Sequence, residues 1–261
     1  MHADHIDTAH PPIGAPQDAG ILNNAAQGLD LRERLALARD TVSGRMVFTT
    51  SFGLEDQLIT DALFMNRIDV QMVTIDTGRL FPETYAVWAA TERRYGRRIT
   101  AIMPNSDATT RMVGEIGIDG FYNSLANRHA CCGVRKVAPL ACVLDGAAGW
   151  ITGLRGEQSA QREGVMFAAP DPARRLLKFN PLFDWSRAYL LDALERREIP
   201  INILHKQGFA SIGCAPCTRA IAPGEPERAG RWWWEADQAR ECGLHLGPNG
   251  RLSSTRQAAA Q

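Results

Sequence analysis

An α/β fold, a mainly parallel sheet with helices on both faces, is what the sequence predicts, and three observations predict it. From residue 30 onward, short apolar runs of strand character alternate with segments of helical spacing. Three of those runs end in polar, glycine-containing loops: Thr50-Ser51-Phe52-Gly53, Asp76-Thr77-Gly78-Arg79 and Gly153-Leu154-Arg155. In a parallel sheet, ligands sit beyond such strand ends. The chain also has 261 residues, enough to bury a full core without staples. At ~150 residues per domain this is one to two domains.

The elements follow in order. Residues 1–28 hold Pro11, Pro12, Pro16, Gly14, Gly20 and Gly28 without a sustained apolar period, and read as a loose leader. Its His2, His5 and His10 read as a solvated tail rather than a metal site. Asp30 can cap a helix with an apolar face of Leu31, Leu35, Ala38 and Val42, stopped by Gly44. Met46 to Thr50 reads as a buried strand, Glu55 to about Asn66 as a helix, and Val70 to Asp76 as a second strand. Pro82 suits the first turn of a helix ending near Tyr95-Gly96, and Arg98 to Met103 is a third strand. Residues 107–145 read as mainly helical, with Cys142 as a small core residue. Trp150 to Thr152 and Leu176 to Phe179 are further strands, and Arg187 to Arg197 is a helix. From Gly208 the chain is rich in Gly, Pro and Cys, and Ser253 to Gln261 reads as frayed.

Composition narrows the function. Lys plus Arg and Asp plus Glu number 29 each, a formal net charge of zero, which argues against a nucleic-acid binder. No run of 18 apolar residues is present, so no membrane partner is expected, and no apolar signal region is evident. These features read as a cytoplasmic protein, in which six cysteines serve as reduced, catalytic or metal-binding thiols. They leave homo-oligomer formation open.

Cys131-Cys132 and Cys214-Ala215-Pro216-Cys217 supply four thiolates, which can hold zinc or an iron–sulfur cluster. Neighbouring side chains on a helix diverge by ~100° and converge poorly on one small ion. A larger cubane tolerates that divergence, so the adjacent pair favours a four-iron cluster over zinc. Cys242, in Glu241-Cys242-Gly243-Leu244-His245, is a lone cysteine near a histidine and a candidate nucleophile. Lys136 follows the cysteine pair, and Arg228 and Arg231 precede Trp232-Trp233-Trp234. Arginine forks and lysine point charges suit phosphate or sulfate oxygens, while the tryptophans read as an anchor on the core.

These motifs together resemble the phosphoadenylyl-sulfate/adenylyl-sulfate reductase family, in its bacterial iron–sulfur, assimilatory adenylyl-sulfate (APS) branch. The residues that carry the resemblance are Ser51 to Asp56, Asp76 to Arg79, Cys131 to Lys136, Gly153 to Ser159, Cys214 to Cys217 and Glu241 to His245. It covers about residues 30–250. It implies a Rossmann-like, adenine nucleotide alpha-hydrolase-like fold, and reduction of APS to sulfite and AMP with thioredoxin as the electron donor. It also implies Cys242 as nucleophile, passing through an S-sulfonate, with His245 beside it. A [4Fe-4S] cluster is implied on Cys131, Cys132, Cys214 and Cys217. Lys136, Arg228 and Arg231 are the expected phosphosulfate contacts. Ser51, Gly53, Asp76, Thr77, Gly78, Gly153 and Arg155 are expected to hold adenosine and its phosphate. The chain then divides into a flexible leader, 1–28, a nucleotide- and cluster-binding α/β domain, 29–220, and a mobile C-terminal segment, 221–261, carrying the nucleophile. Gly156 stands where the family pattern leads one to expect a second basic residue.

Three rival readings remain. A phosphoadenylyl-sulfate (PAPS) reductase shares the terminal motif but often lacks the cluster cysteines. A pyrophosphatase-type ligase or tRNA-thiolating enzyme would show a Ser-Gly-Gly loop, where this chain has Ser51-Phe52-Gly53 with one glycine. A zinc-stapled interaction module would leave Cys242 inert.

Overall fold

Met46-Val47-Phe48-Thr49-Thr50 is β-branched, aromatic and apolar, and it becomes strand β1 over the same five residues. In the computed structural model, which describes residues 16–235, this strand lies inside a sheet of six. Helices α1 (Pro16–Ala25) and α2 (Leu31–Thr41) precede it, α3 (Leu54–Met65) follows, then β2 (Gln71–Ile75), α4 (Pro82–Tyr95) and β3 (Thr100–Ile102). Next come α5 (Ser106–Ile116), α6 (Leu125–Cys132), a π-helical turn over Gly133–Val137, α7 (Ala138–Leu144), β4 (Gly149–Ile151), β5 (Ala168–Asp171), β6 (Leu176–Phe179) and α8 (Arg187–Arg196).

The local signals act as expected. Asp30 caps α2 in a reciprocal capping box with Glu33. Pro82 opens α4, and Gly96 closes it in the left-handed region at φ 62°. The strands at 70–76 and 98–103 are shorter than their apolar runs.

The sheet order is β3-β2-β1-β4-β6-β5, with every pairing parallel except β5 with β6. Side chains alternate between faces. Met46, Phe48, Met72, Ile151 and Phe179 pack with Leu35, Leu58 and Leu190 from α2, α3 and α8. Val47, Val73, Trp150 and Leu176 pack on the other face with Leu140, Val143 and Leu144 of α7. Helices therefore cover both faces. The chain leaves β1 towards β2 on one side, and β4 returns on the other. This reversal opens a crevice beyond the carboxyl ends of β1 and β4.

Four expectations change. The leader is not loose throughout, because α1 occupies Pro16–Ala25. Asn23 explains why it docks: its side chain donates to the Ala168 carbonyl (3.0 Å) and accepts from the Ala168 N–H (2.8 Å). Those groups lie on edge strand β5, which an unpaired edge would leave open. Strand β5, absent from the sequence reading, carries Pro170, a residue tolerated only at such an edge. Cys142 is exposed rather than in the core, since the buried face of α7 is Leu140, Val143 and Leu144. The segment from 221 is packed as far as Glu235: Trp232 is buried, and Arg128 and Glu235 form a buried ion pair at 2.7 Å.

Candidate active site at the switch point of the sheet

The loop after β1 is shaped by α3. Phe52 adopts φ 60°, unfavourable for a side chain of that size, and is held by burial and by stacking on Trp88 at 5.5 Å between ring centres. Gly53 then caps α3. Asp56, in the first turn, accepts from the Ser51 N–H (2.6 Å) and hydroxyl (2.7 Å). Burial pushes the Asp56 carboxyl up to about 6, against the pull of those hydrogen bonds, and neighbouring Glu55 adds to the rise. The loop after β4 presses onto the same carboxylate. A Cβ on Gly153 would stand 2.4 Å from Asp56 Oδ1, so glycine is required there.

Between these loops lies a cleft of about 210 Å³. Ser51, Gly53, Thr77, Gly153, Lys136, Arg228 and Arg231 reach its wall, bringing together seven of the residues expected from the sequence. Asp76, Gly78 and Arg155 do not. The Asp76 carboxylate is buried and accepts from the Gly78 N–H (2.9 Å) and the Tyr85 hydroxyl (2.8 Å), so it shapes its own loop. Gly78, at φ 68°, turns that loop over the Arg135 guanidinium. Arg135 in turn donates to the Thr77 carbonyl at 2.7 Å. Arg155 is fully buried and bonded to Glu55 at 2.9 Å and Glu227 at 3.0 Å. Cys242 and His245 lie outside the described residues.

Among the wall residues that escaped the sequence reading are Arg162, His205 and Glu227. Arg162 adds a fourth cation; its Nη1 donates to Gln158 Oε1 at 2.6 Å. It lies just past Ser159, where the recognisable motif stops, and no spacing marked it. His205 shares its Nδ1 proton with the Phe209 carbonyl at 2.7 Å, and burial lowers its pKa, leaving a neutral ring at the cleft.

The four paired cysteines adjoin this cleft. Cys132, Cys214 and Cys217 are buried, Cys131 is half-buried, and all are free thiols. Cys214 and Cys217, with Cys131 against them, pack with Phe121, Trp232 and Trp234 in one apolar cluster. Electrostatics couple all four: Cys214 acts on Cys131 and on Cys217, and Cys132 acts on Cys217. Burial, with Cys214 beside it, pushes Cys217 up to about 12. Burial also raises Cys214, but Lys136, the Thr77 hydroxyl 3.3 Å away and Arg231 together draw it below the ordinary thiol value. The π-helical turn after Cys132 carries Lys136 to the cleft, a place where such turns often occur. Among the described residues, no three His, Cys, Asp or Glu side chains are set to hold a single metal ion. Thus Thr77, Lys136 and Arg231 stand between a ligand cleft and a thiol cluster.

Comparison with known proteins agrees with this geometry. Residues 45–220 match the model of the phosphoadenosine phosphosulfate reductase domain. The chain is 52% identical over 229 residues to the adenosine 5'-phosphosulfate reductase of Sinorhizobium fredii strain NBRC 101917 / NGR234, covering 88% of this chain and 91% of that one. It is 44% identical over 220 residues to the protein of that name from Allochromatium vinosum, covering 84% of each. The fold is similar to a crystal structure of phosphoadenylyl-sulfate reductase from Candida auris in complex with phosphate, with a TM-score of 0.67 at 23% identity, over 79% of this chain and 98% of that one. With two thirds of its length inside the family model and half of the 229 aligned residues identical to a named relative, the chain belongs to the phosphoadenosine phosphosulfate reductase domain family.

Proposed function

We propose that this protein reduces adenylyl sulfate to sulfite and AMP, with a thioredoxin as electron donor, in sulfate assimilation leading to cysteine. The observation that carries the reading is the meeting of four cations, Lys136, Arg162, Arg228 and Arg231, with the Ser51 and Gly153 loops in one cleft at the switch point. The relatives' names supply the substrate.

The chemistry needs a nucleophile and charge relief. The Cys242 thiolate attacks the sulfate sulfur, and the sulfur–oxygen bond to the phosphate breaks, its electron pair leaving with AMP. Thiolate, sulfate and phosphate are all anionic, so the four cations lower the barrier by offsetting the charge that gathers at the reacting centre. His245, when protonated, favours the thiolate. The resulting Cys242 S-sulfonate is attacked at the cysteine sulfur by a donor thiolate, and sulfite departs with the electron pair. The donor's second thiol resolves the mixed disulfide, so the dithiol supplies both electrons.

The donor set suits a [4Fe-4S] cluster on Cys131, Cys132, Cys214 and Cys217. Cys131, Cys214 and Cys217 share one apolar cluster, and Cys132 acts electrostatically on Cys217. The thiolates of Cys131, Cys132, Cys214 and Cys217 would hold the cluster, which would supply charge near Lys136 and Arg231, the two cations that act on Cys214. The free thiols also support a reducing, cytoplasmic setting. No helix among the described residues is long and apolar enough to cross a membrane.

Anaerobic purification with iron, sulfide and zinc analysis, then a sulfite assay on APS and on PAPS with thioredoxin, tests the reading. About four irons and four sulfides per chain with turnover of APS is the expected result. Preference for PAPS would keep the mechanism and change the substrate. Zinc without sulfite release would overturn both cluster and reductase.

A further inference from the structure

Arg155 lies behind the cleft and closes an ion network that ties three of its walls together. Its Nε meets Glu55 Oε1 at 2.9 Å, in the first turn of α3 beside Asp56, which holds Ser51. Its Nη2 meets the Glu227 carboxylate at 3.0 and 3.3 Å. Nη1 donates to the Trp185 carbonyl at 3.3 Å and lies 3.5 Å from Glu157. Arg187, opening α8, reaches the same Glu227 oxygen at 3.3 Å. The Arg155 side chain is fully buried, and those of Glu55 and Glu227 are only 12% and 14% exposed.

Glu227 immediately precedes Arg228, and the strap around it contains no helix or strand. Its fixings include Arg219 with Glu225, the bridge of Thr218 with Arg231, the Trp232 N–H on the Cys217 carbonyl, the Ile221 N–H on the Gly208 carbonyl, and, at its far end, buried Trp232 and the Arg128–Glu235 pair; Glu227 is the fixing next to Arg228. Without a hydrogen-bonded ladder, such a strap takes its position from its anchors. A cationic strap would also be repelled by Arg155 and Arg187 unless a carboxylate stood between them.

We infer that Glu227 is a positioning residue: gripped by Arg155 and Arg187, it sets Arg228 and Arg231 at the cleft and couples their placement to the Ser51 and Gly153 loops. Removing the Glu227 charge leaves the buried Arg155 guanidinium one carboxylate short, with Glu55 still bonded. The inference rests on the proposed function only for the name of the ligand.

Hydrogen exchange without any ligand is the first test. The amides of Ala229, Arg231 and Trp232 are hydrogen-bonded within the strap or to Cys217. In Glu227→Gln they should exchange at least about tenfold faster while those of β1 and β2 stay protected. Arg187→Gln should do the same to a smaller degree. Its side chain is one third exposed and leaves the Arg155 bond in place, so it carries the test if Glu227→Gln fails to fold. The second test is APS binding: Glu227→Gln should weaken it about tenfold, and the double variant with Arg228→Ala should lose clearly less than the product of the two single losses, the remainder being the misplaced Arg231. Unchanged strap exchange, or additive losses in the double variant, would overturn the inference. Faster strap exchange in a protein that does not bind APS would uphold the positioning role and sink the proposed substrate.

Discussion

At the scale of single residues, Asp56 concentrates the conflict in this site. Its carboxylate organises the Ser51 loop, yet burial raises its pKa from 3.8 to about 6. A shift of about two units corresponds to roughly 3 kcal/mol. The native state binds this proton more tightly than the unfolded chain. The associated stability is therefore fully present below about pH 4 and lost as pH rises through about 6. Denaturant unfolding between pH 4 and 7.5 should show that decline in the native sequence and a flatter profile in Asp56→Asn; equal slopes would contradict it. Two glycines separate steric from functional roles. In Gly153→Ala the new Cβ meets the fixed Asp56 and Glu55 side chains at 2.4 and 3.0 Å, and a stability loss of roughly 1–3 kcal/mol is expected. In Gly213→Ala the Cβ meets Arg231 Nη2 at 2.1 Å, the far end of a side chain that can swing away. That variant should stay within about 1 kcal/mol of native stability while losing activity more than Gly153→Ala does per unit of stability lost. Thermal midpoints and initial rates together test the contrast.

At the scale of elements, what the sequence revealed and what it hid follow from how each signal is encoded. Asp30 with Glu33, Pro82 and Gly96 act within one turn of chain, so α2 and α4 end where local chemistry says. Strand β1 opens on the apolar run Met46-Val47-Phe48 because it is buried on both faces. Edge strand β5 lacks that pattern and owes its existence to pairing with β6 and to α1. Besides the buried Ala19 and Leu22, α1 is docked by an asparagine reaching 145 positions along the chain, which no periodicity displays. This yields a prediction. Asn23→Ala leaves the N–H and C=O of Ala168 without their partner and should cost about 2 kcal/mol in denaturant unfolding. Removing residues 1–28 should cost more. A truncation with native stability would mean that the leader is dispensable after all.

At the scale of the whole molecule, the candidate site was legible where it depends on motif and obscure where it depends on assembly. The Ser51 and Gly153 loops and the paired cysteines are short patterns, and the fold brings them to one place because β1 and β4 flank the switch point. Arg155 looked like a ligand contact because it ends the Gly153-Leu154-Arg155 loop after β4, but its destination depends on Glu227, 72 residues away. Arg162 reaches the cleft without a motif of its own. The cleft and the thiol cluster share Cys214: it touches the Thr77 hydroxyl, feels Lys136 and Arg231, and sits in the turn whose Ala215 N–H is bonded to the Arg79 carbonyl at 2.8 Å. Disturbing the thiol cluster therefore disturbs the cleft wall, whereas changing the proposed nucleophile need not. Cys214→Ser should lose iron and also weaken APS binding by about tenfold or more, as expected when several anion contacts move together. Cys242→Ser should abolish sulfite release while keeping iron content and APS affinity. Calorimetric binding and iron analysis of the two variants decide the matter. Iron loss in Cys242→Ser would place that residue among the cluster ligands, and undiminished APS binding in Cys214→Ser would show the two sites to be independent.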